Sequence, residues 1–353
     1  MKRRRRTVLI IAGAAVVVVV AIVLGIVFTR GGEPAVAPIP GQEVTDEARP
    51  VTDKVWPAPL ALHVALDPAQ QANQPADVAL VDGSMFLVDT LHGRLLELGP
   101  DGQNPRVLDN KVDPKLLLNG PLAITSYQGQ LYVADTNSGR VLVVDPSGTV
   151  SREISLAKAS STDTQQPRPI GIAVWNDGSF AVSDSSNNRL TKYGADGNVV
   201  WTVGTGSRGA GEKGLNSPVG VALDKDGNVY VVDMLNSTVK KYSADGKFMS
   251  TIGSAGDTAG GFSRPKAVAV DEAGNIYVSD GLQAAVDVFD QSGSFLGFIG
   301  RKDPADPKST SLFQSPHGLK IVDGKLYVVD RFAGLFVFDL PTTQPIGSQP
   351  TTS

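Results

Sequence analysis

The chain of 353 residues has three histidines, His63, His92 and His317, and no cysteine. The lack of cysteine excludes lipoprotein anchoring, structural disulfides, covalent c-type haem and Cys-ligated metal. His317 follows a proline in SPHGLK, and Lys266 follows one in SRPKAV. The equivalent positions elsewhere hold Ala76, Leu122, Ile170 and Val219, and Asp77 stands one place further on, where other units have Gly or Ala. An imidazole, an ammonium and a carboxylate brought to one mouth among apolar neighbours could bind a small molecule. Spacing alone names no nucleophile and base pair, so no catalytic residue is assigned.

The most regular charged set is Asp89, Asp135, Asp184, Asp233, Asp280 and Asp330. Gathered in a ring they could ligate a metal. One carboxylate per repeat favours a structural role instead, each accepting backbone N–H or Arg hydrogen bonds in its own turn. No metal site and no cofactor is read from the sequence.

The spacing of those aspartates, 46, 49, 49, 47 and 50 residues, reveals the elements that must hold them. Each unit opens on a proline, at Pro75, Pro121, Pro169, Pro218, Pro265 and Pro316, and each has a glycine in its first turn. Residues 216–253, NSPVGVALDKDGNVYVVDMLNSTVKKYSADGKFMSTIG, show the plan: four short apolar runs, two of the breaks being Asp-Gly. Asp-Gly tolerates the positive φ of a tight hairpin, so each unit reads as a four-stranded antiparallel meander. A single meander cannot bury both faces, and six packed radially make an all-β six-bladed propeller over residues 55–340. The sixth unit stops at Pro341 without a fourth strand. An open edge there would invite wrong pairing, so the strand within Pro59–Asp67, PLALHVALD, is expected to complete it, with Leu60, Leu62, Val64 and Leu66 on its buried side.

Ahead of the repeats, residues 1–6 are MKRRRR and Thr7–Phe28 is uncharged and apolar. Its 22 residues would span roughly 33 Å as a helix, enough for a bilayer core. The basic block places the N-terminus in the cytoplasm, so the expectation is a single-pass signal-anchor with the repeats outside the cytoplasmic membrane. Residues 29–54 read as a flexible linker and 341–353 as a disordered tail. Beyond Arg30 the chain carries 26 basic and 36 acidic residues. That acidic balance argues against nucleic acid as a partner.

The repeats resemble NHL repeats: a Pro-x-Gly-Val-Ala opening, Gly-Asn-x-Tyr-Val-x-Asp in the second strand, and a third turn such as FDQSG, clearest at residues 224–252 and 271–299. The pattern's Arg after the second strand is present as Arg94, Arg140 and Arg189 and replaced by Thr238, Ala285 and Leu335. The resemblance implies a six-bladed propeller used for protein binding, RNA binding, or lyase and hydrolase chemistry. Amidating lyases similar to the family hold zinc through several inward histidines; here only His317 fits that pattern. The glycines of GTGSRGAGEKG precede another repeat and not a helix, which marks an inter-blade loop and not a dinucleotide site.

The long loops, residues 103–119, 157–168, 205–216 and 301–314, join successive units and should share one face. Lys111, Lys115, Arg208, Lys213, Arg301 and Lys302 make that face basic and suited to a partner. The expected role is therefore binding rather than catalysis: a scaffold or recognition module for another extracytoplasmic or membrane protein. The alternative is a lyase or lactonase acting on a small molecule at the channel mouth. A sugar-binding face built on Trp175 and Trp201 is a third reading, although both lie in strand patterns.

Overall fold

The structure is a computed structural model that describes residues 55–66, 72–160, 165–301 and 310–341. The chain divides into Met1–Arg49 and Pro50–Ser353, and only the second unit contains described residues. The expected anchor at Thr7–Phe28, the linker at 29–54 and the tail beyond 341 lie outside them. Among the described residues no helix is long and apolar enough to cross a membrane.

Six four-stranded antiparallel sheets follow one another along the chain. In blade four the strands are Pro218–Leu223, Val229–Asp233, Thr238–Tyr242 and Phe248–Ile252, and blades one to three and five repeat that order. Blade six takes Pro316–Val322, Lys325–Asp330 and Gly334–Asp339 from the end of the chain and Leu60–Val64 from its start. Leu60 pairs with Phe338 and Val64 with Leu335, antiparallel. A bulge between Leu60 and Leu62 breaks the simple alternation, so Val64 and Leu66 are buried while Leu60 stays exposed.

The blades are stacked by side chains that none could bury alone. Six apolar clusters occur among the described residues, one at each blade-to-blade contact. Between blades four and five Tyr230, Val232 and Val239 meet Phe262, Val278 and Phe289. Between blades six and one Val329, Leu335 and Val64 meet Val78, Met85 and Leu87. Removing any of these side chains from water contributes about 1.5–3 kcal/mol, so the ring is held by its radial interfaces.

Each repeat aspartate is a clip within this ring. Asp330 accepts the backbone N–H groups of Gln314, Ser315, Phe332 and Ala333 at 2.7–2.9 Å, tying the incoming loop to the turn after the second strand. Asp280 does the same for Ser263, Arg264, Leu282 and Gln283. Asp89 and Asp135 each bind one N–H of the incoming loop and an Arg, Arg94 at 2.7 Å and Arg140 at 2.8 Å. Asp184 binds Asn187, and Asp233 binds Asn236 and the buried Lys240. These carboxylates lie in separate blades and bind their own turns.

One third-strand position is unusual. The residue paired with the middle of the second strand is Leu96, Leu142, Thr191, Lys240, Asp287 and Phe336 in blades one to six. Asp287 is 1% exposed and its Oδ2 has no hydrogen-bond partner. Burial, and then the neighbouring Asp280 charge, push its carboxyl up to about 7, against the pull of Arg301. The folded protein thus holds a proton that the unfolded chain releases near pH 3.8, and stability falls as pH rises from there through about 7. The Asp287→Asn variant should be more stable than the parent by about 1–3 kcal/mol at pH 8 and indistinguishable from it at pH 4. Thermal melts of both proteins across that range check this, since contributions from other groups cancel in the difference.

Candidate functional site at the channel mouth

The first strand of every blade lines the central channel. Where these strands begin, the channel widens into a cavity of about 390 Å³. Asp77, Lys266 and His317 all border it, and Arg168, Ser185, Met234, Arg264, Lys320 and Arg331 join them. A second cavity of about 180 Å³ lies toward the other end, and Lys320 borders both.

The close approach of the inner strands depends on missing side chains. A Cβ on Gly318 would stand 2.5 Å from the Ala76 carbonyl and 2.6 Å from the Asp77 Cα. That contact seats blade six against blade one and places His317 beside Ala76. His317 Nδ1 lies 3.0 Å from the Ala76 oxygen. A carbonyl only accepts, so Nδ1 carries the hydrogen and Nε2 is the basic nitrogen. Nε2 has no protein hydrogen-bond partner among the described residues. The backbone is fixed as well: Ser279 Oγ donates to the His317 carbonyl at 2.9 Å and accepts from Ala267 N–H at 3.0 Å. Burial, then the Arg331 and Lys266 charges, push the imidazole down to about 3. His317 is therefore a neutral base at physiological pH.

Asp77 is already engaged. Its two oxygens accept the N–H groups of Val78 at 2.9 Å and Ile124 at 3.0 Å, which bridges blades one and two. Burial raises its carboxyl to about 6, opposed by Lys320 and by these two donors. Lys320 donates to Thr125 Oγ1 at 3.2 Å, and burial lowers its pKa against the pull of Asp77. Lys266 meets the Met234 sulfur at 3.4 Å. Burial, followed by Arg264 and Arg331, pushes its ammonium down to about 8.

This donor set does not suit a divalent cation. Among the described residues no group of three or more His, Asp or Glu side chains converges, and the one carboxylate and one imidazole at the mouth face several positive charges. The chemistry available is that of a neutral base in a cationic, partly desolvated pocket.

The sequence singled out Asp77, Lys266 and His317, and the fold brings them to one cavity. Arg168, Arg264, Lys320 and Arg331 were missed. Arg168 and Arg264 each precede an opening proline, and Arg331 follows a repeat aspartate, so the register contained a signal for all three. Lys320 was hidden by a bulge: pairing shifts between Pro316 and Gly318, so strict alternation from His317 does not lead to it. The loop cations among the described residues are elsewhere. Lys111, Lys115, Arg208 and Lys213 are exposed, Arg301 sits over the Phe298 ring, and none borders the cavity; Lys302 lies outside the described residues. Trp175 and Trp201 form an edge-to-face pair, with indole N–H groups bonded to Gly227 and Ala244 carbonyls of the next blade.

Six four-stranded antiparallel blades around a channel with a charged pocket at one mouth define an all-β six-bladed propeller. Residues 80–302 match the family described as SMP-30/Gluconolactonase/LRE-like region, and the chain belongs to that family. The NHL label suggested by the repeats is not confirmed by this match; the six-bladed architecture it implied is. No curated protein matches the sequence. Among solved structures, a gluconolactonase from Xanthomonas campestris is 17% identical, with a TM-score of 0.56, covering 83% of this chain and 99% of its own. Virginiamycin B lyase from Staphylococcus aureus is 12% identical, with a TM-score of 0.55 and coverages of 79% and 98%. A streptogramin B lyase gives 13%, 0.54, 78% and 97%. At these identities the likeness is one of fold.

Proposed function

We propose that this protein is a ring-opening enzyme of the lactonase or lyase type, acting on a small molecule at the channel mouth. One observation carries the reading: a neutral imidazole, with its tautomer fixed by Ala76, borders a cavity of about 390 Å³. Family membership and the gluconolactonase and lyase folds support it. In the lactonase form His317 Nε2 takes a proton from water as the oxygen attacks the ester carbonyl. The carbonyl oxygen gains negative charge toward the inner end of the pocket, where the Lys320 ammonium is positioned to stabilise it. Ring C–O cleavage then returns the proton to the leaving alkoxide and leaves a hydroxy acid. In the lyase form the same nitrogen removes a proton from the carbon next to the one bearing the ring ester oxygen; the C–H electrons form a C=C bond as that C–O bond breaks, and the carboxylate leaves. The protein-binding scaffold expected from the sequence has no comparable observation behind it.

The test is proton release by the full-length protein with a panel of five- and six-membered lactones, followed with a pH indicator at pH 7.5, alongside ultraviolet detection of any new C=C bond. Turnover above the uncatalysed rate is expected for at least one ring class. No turnover across the panel by either readout would sink the proposal. We further propose that Thr7–Phe28 anchors the propeller outside the cytoplasmic membrane, supported by the MKRRRR block and the uncharged stretch after it. Protease digestion of intact and opened cells tests this, protection of the propeller in intact cells of a single-membrane host being the contrary result.

A further inference from the structure

We propose that the substrate carries an oxyanion group, a carboxylate or a phosphate, held at the mouth by Arg264, Lys266 and Arg331 with Arg168 at the rim. The inference rests on the enzyme reading for the word substrate, but the anion site stands on its own observations. The first is composition. Five cationic side chains border one cavity; its one carboxylate, Asp77, has both oxygens hydrogen-bonded to backbone N–H groups and faces Lys320, which leaves Arg168, Arg264, Lys266 and Arg331. None of the four cations forms an ion pair with a carboxylate among the described residues, although Asp280 lies close enough to Lys266 to favour its charge.

The second observation is an orphan. The Arg331 Nε is buried and has no hydrogen-bond partner. A buried guanidinium N–H left unmade is costly, and because this Nε is closed off from the cavity, completing it requires the guanidinium to turn toward a bound anion. Backbone anchors the residue at its other end, where its N–H donates to Ser315 O at 3.2 Å. The third is mutual repulsion. Burial, then Arg264, lowers the pKa of Arg331, and burial, then Arg264 and Arg331, lowers that of Lys266 against the pull of Asp280, so three cations bordering one cavity repel one another. Such clustering is unfavourable in the empty pocket and is relieved by an anion. A planar guanidinium fork suits a carboxylate or phosphate edge, and Lys266 adds a point charge. Asp77 and Lys320 set the inner limit, so the anionic group sits nearer the rim than the ring that is opened.

The test uses the full-length protein with inorganic phosphate and, separately, malonate as probes, measured by calorimetry at low salt. Reductive ¹³C-methylation of the lysines supplies a second readout through the Lys266 resonance. Saturable binding with a dissociation constant near or below about 1 mM is expected for at least one probe, weakening on added chloride. The Lys266 titration should move upward by one pH unit or more when that probe is bound. Arg331→Gln and Arg264→Gln should each weaken binding tenfold or more, whereas Lys111→Gln, on an outer loop, should leave it unchanged. The two probes distinguish a phosphate site from a carboxylate site. Absence of binding by both, an unmoved Lys266, or equal weakening by Lys111→Gln overturns the proposal. Anion binding without lactone turnover would leave this site standing and remove the enzyme reading. Turnover of uncharged lactones with no anion binding would do the reverse.

Discussion

Replacing His317 with Asn should lower kcat on a lactone substrate by about 10²-fold, the low end for a positioned general base, because an imidazole pushed down to about 3 is a weak base. Asn is the informative choice, because its amide N–H can still donate to the Ala76 carbonyl that the imidazole Nδ1 reaches at 3.0 Å. The contact between blades six and one then survives, and the melting temperature should change by no more than a few degrees. A rate loss with unchanged KM places the residue in the chemical step; a parallel fall in stability and rate would instead mark it as part of the ring. The pH profile gives a further check. The surrounding Arg331 and Lys266 charges and burial push the imidazole down to about 3, so the base stays competent as pH falls well below the ordinary histidine range. An acid limb in kcat/KM near pH 6.5 that disappears in His317→Asn would contradict the environment described. On the alkaline side, loss of the Lys266 charge near pH 8 should reduce the rate, and Lys266→Arg should shift that limb upward.

The Asp233→Ala variant should be destabilised by about 3–5 kcal/mol, the range for breaking a buried ion pair by removing one partner. Asp233 is fully buried and Lys240 is 2% exposed, with its ammonium 3.0 Å from the carboxylate. Lys240 also donates to the Gly211 and Gly214 carbonyls, so it fixes the Gly-rich loop before blade four. Removing Asp233 strands that charge and frees Asn216 N–H and Asn236 at the same time. The double variant Asp233→Ala, Lys240→Met should recover at least half of the loss, because the stranded ammonium goes with it. Urea denaturation of the two variants and the parent measures both numbers, and an Asp233→Ala change below about 1 kcal/mol would show that water already reaches the pair.

The architecture was legible because every level repeated. Proline, glycine, aspartate and Asp-Gly recur at one period, and each is required by local backbone geometry. The latch was legible for the opposite reason, since blade six lacked a strand that an alternating segment near Pro59 could supply. The site was only half legible. His317 and Lys266 stand out against apolar equivalents, yet the bulges beside the opening prolines reset the strand alternation and concealed Lys320. Arg264 and Arg331 read as loop charges in sequence, and only their convergence makes a pocket of them. Asp77 was noticed for its charge, whereas its hydrogen bonds to Val78 and Ile124 make it a brace between blades. The long-loop cations illustrate the limit: among the described ones, none borders the cavity.

Pairing Leu60–Val64 with Gly334–Asp339 joins segments more than 250 residues apart. Bringing ends that distant together costs about 5 kcal/mol of chain entropy, and nothing can offset it until the last blade has been synthesised. From that point until the ring closes, Leu335, Phe336, Val337 and Phe338 sit on an uncovered border able to accept any matching strand. The nearest supply, at high local concentration, is the leading segment of a second copy, so overcrowded expression should yield exchanged dimers, whereas deletion before Val64, which removes that strand from every copy, should yield aggregates.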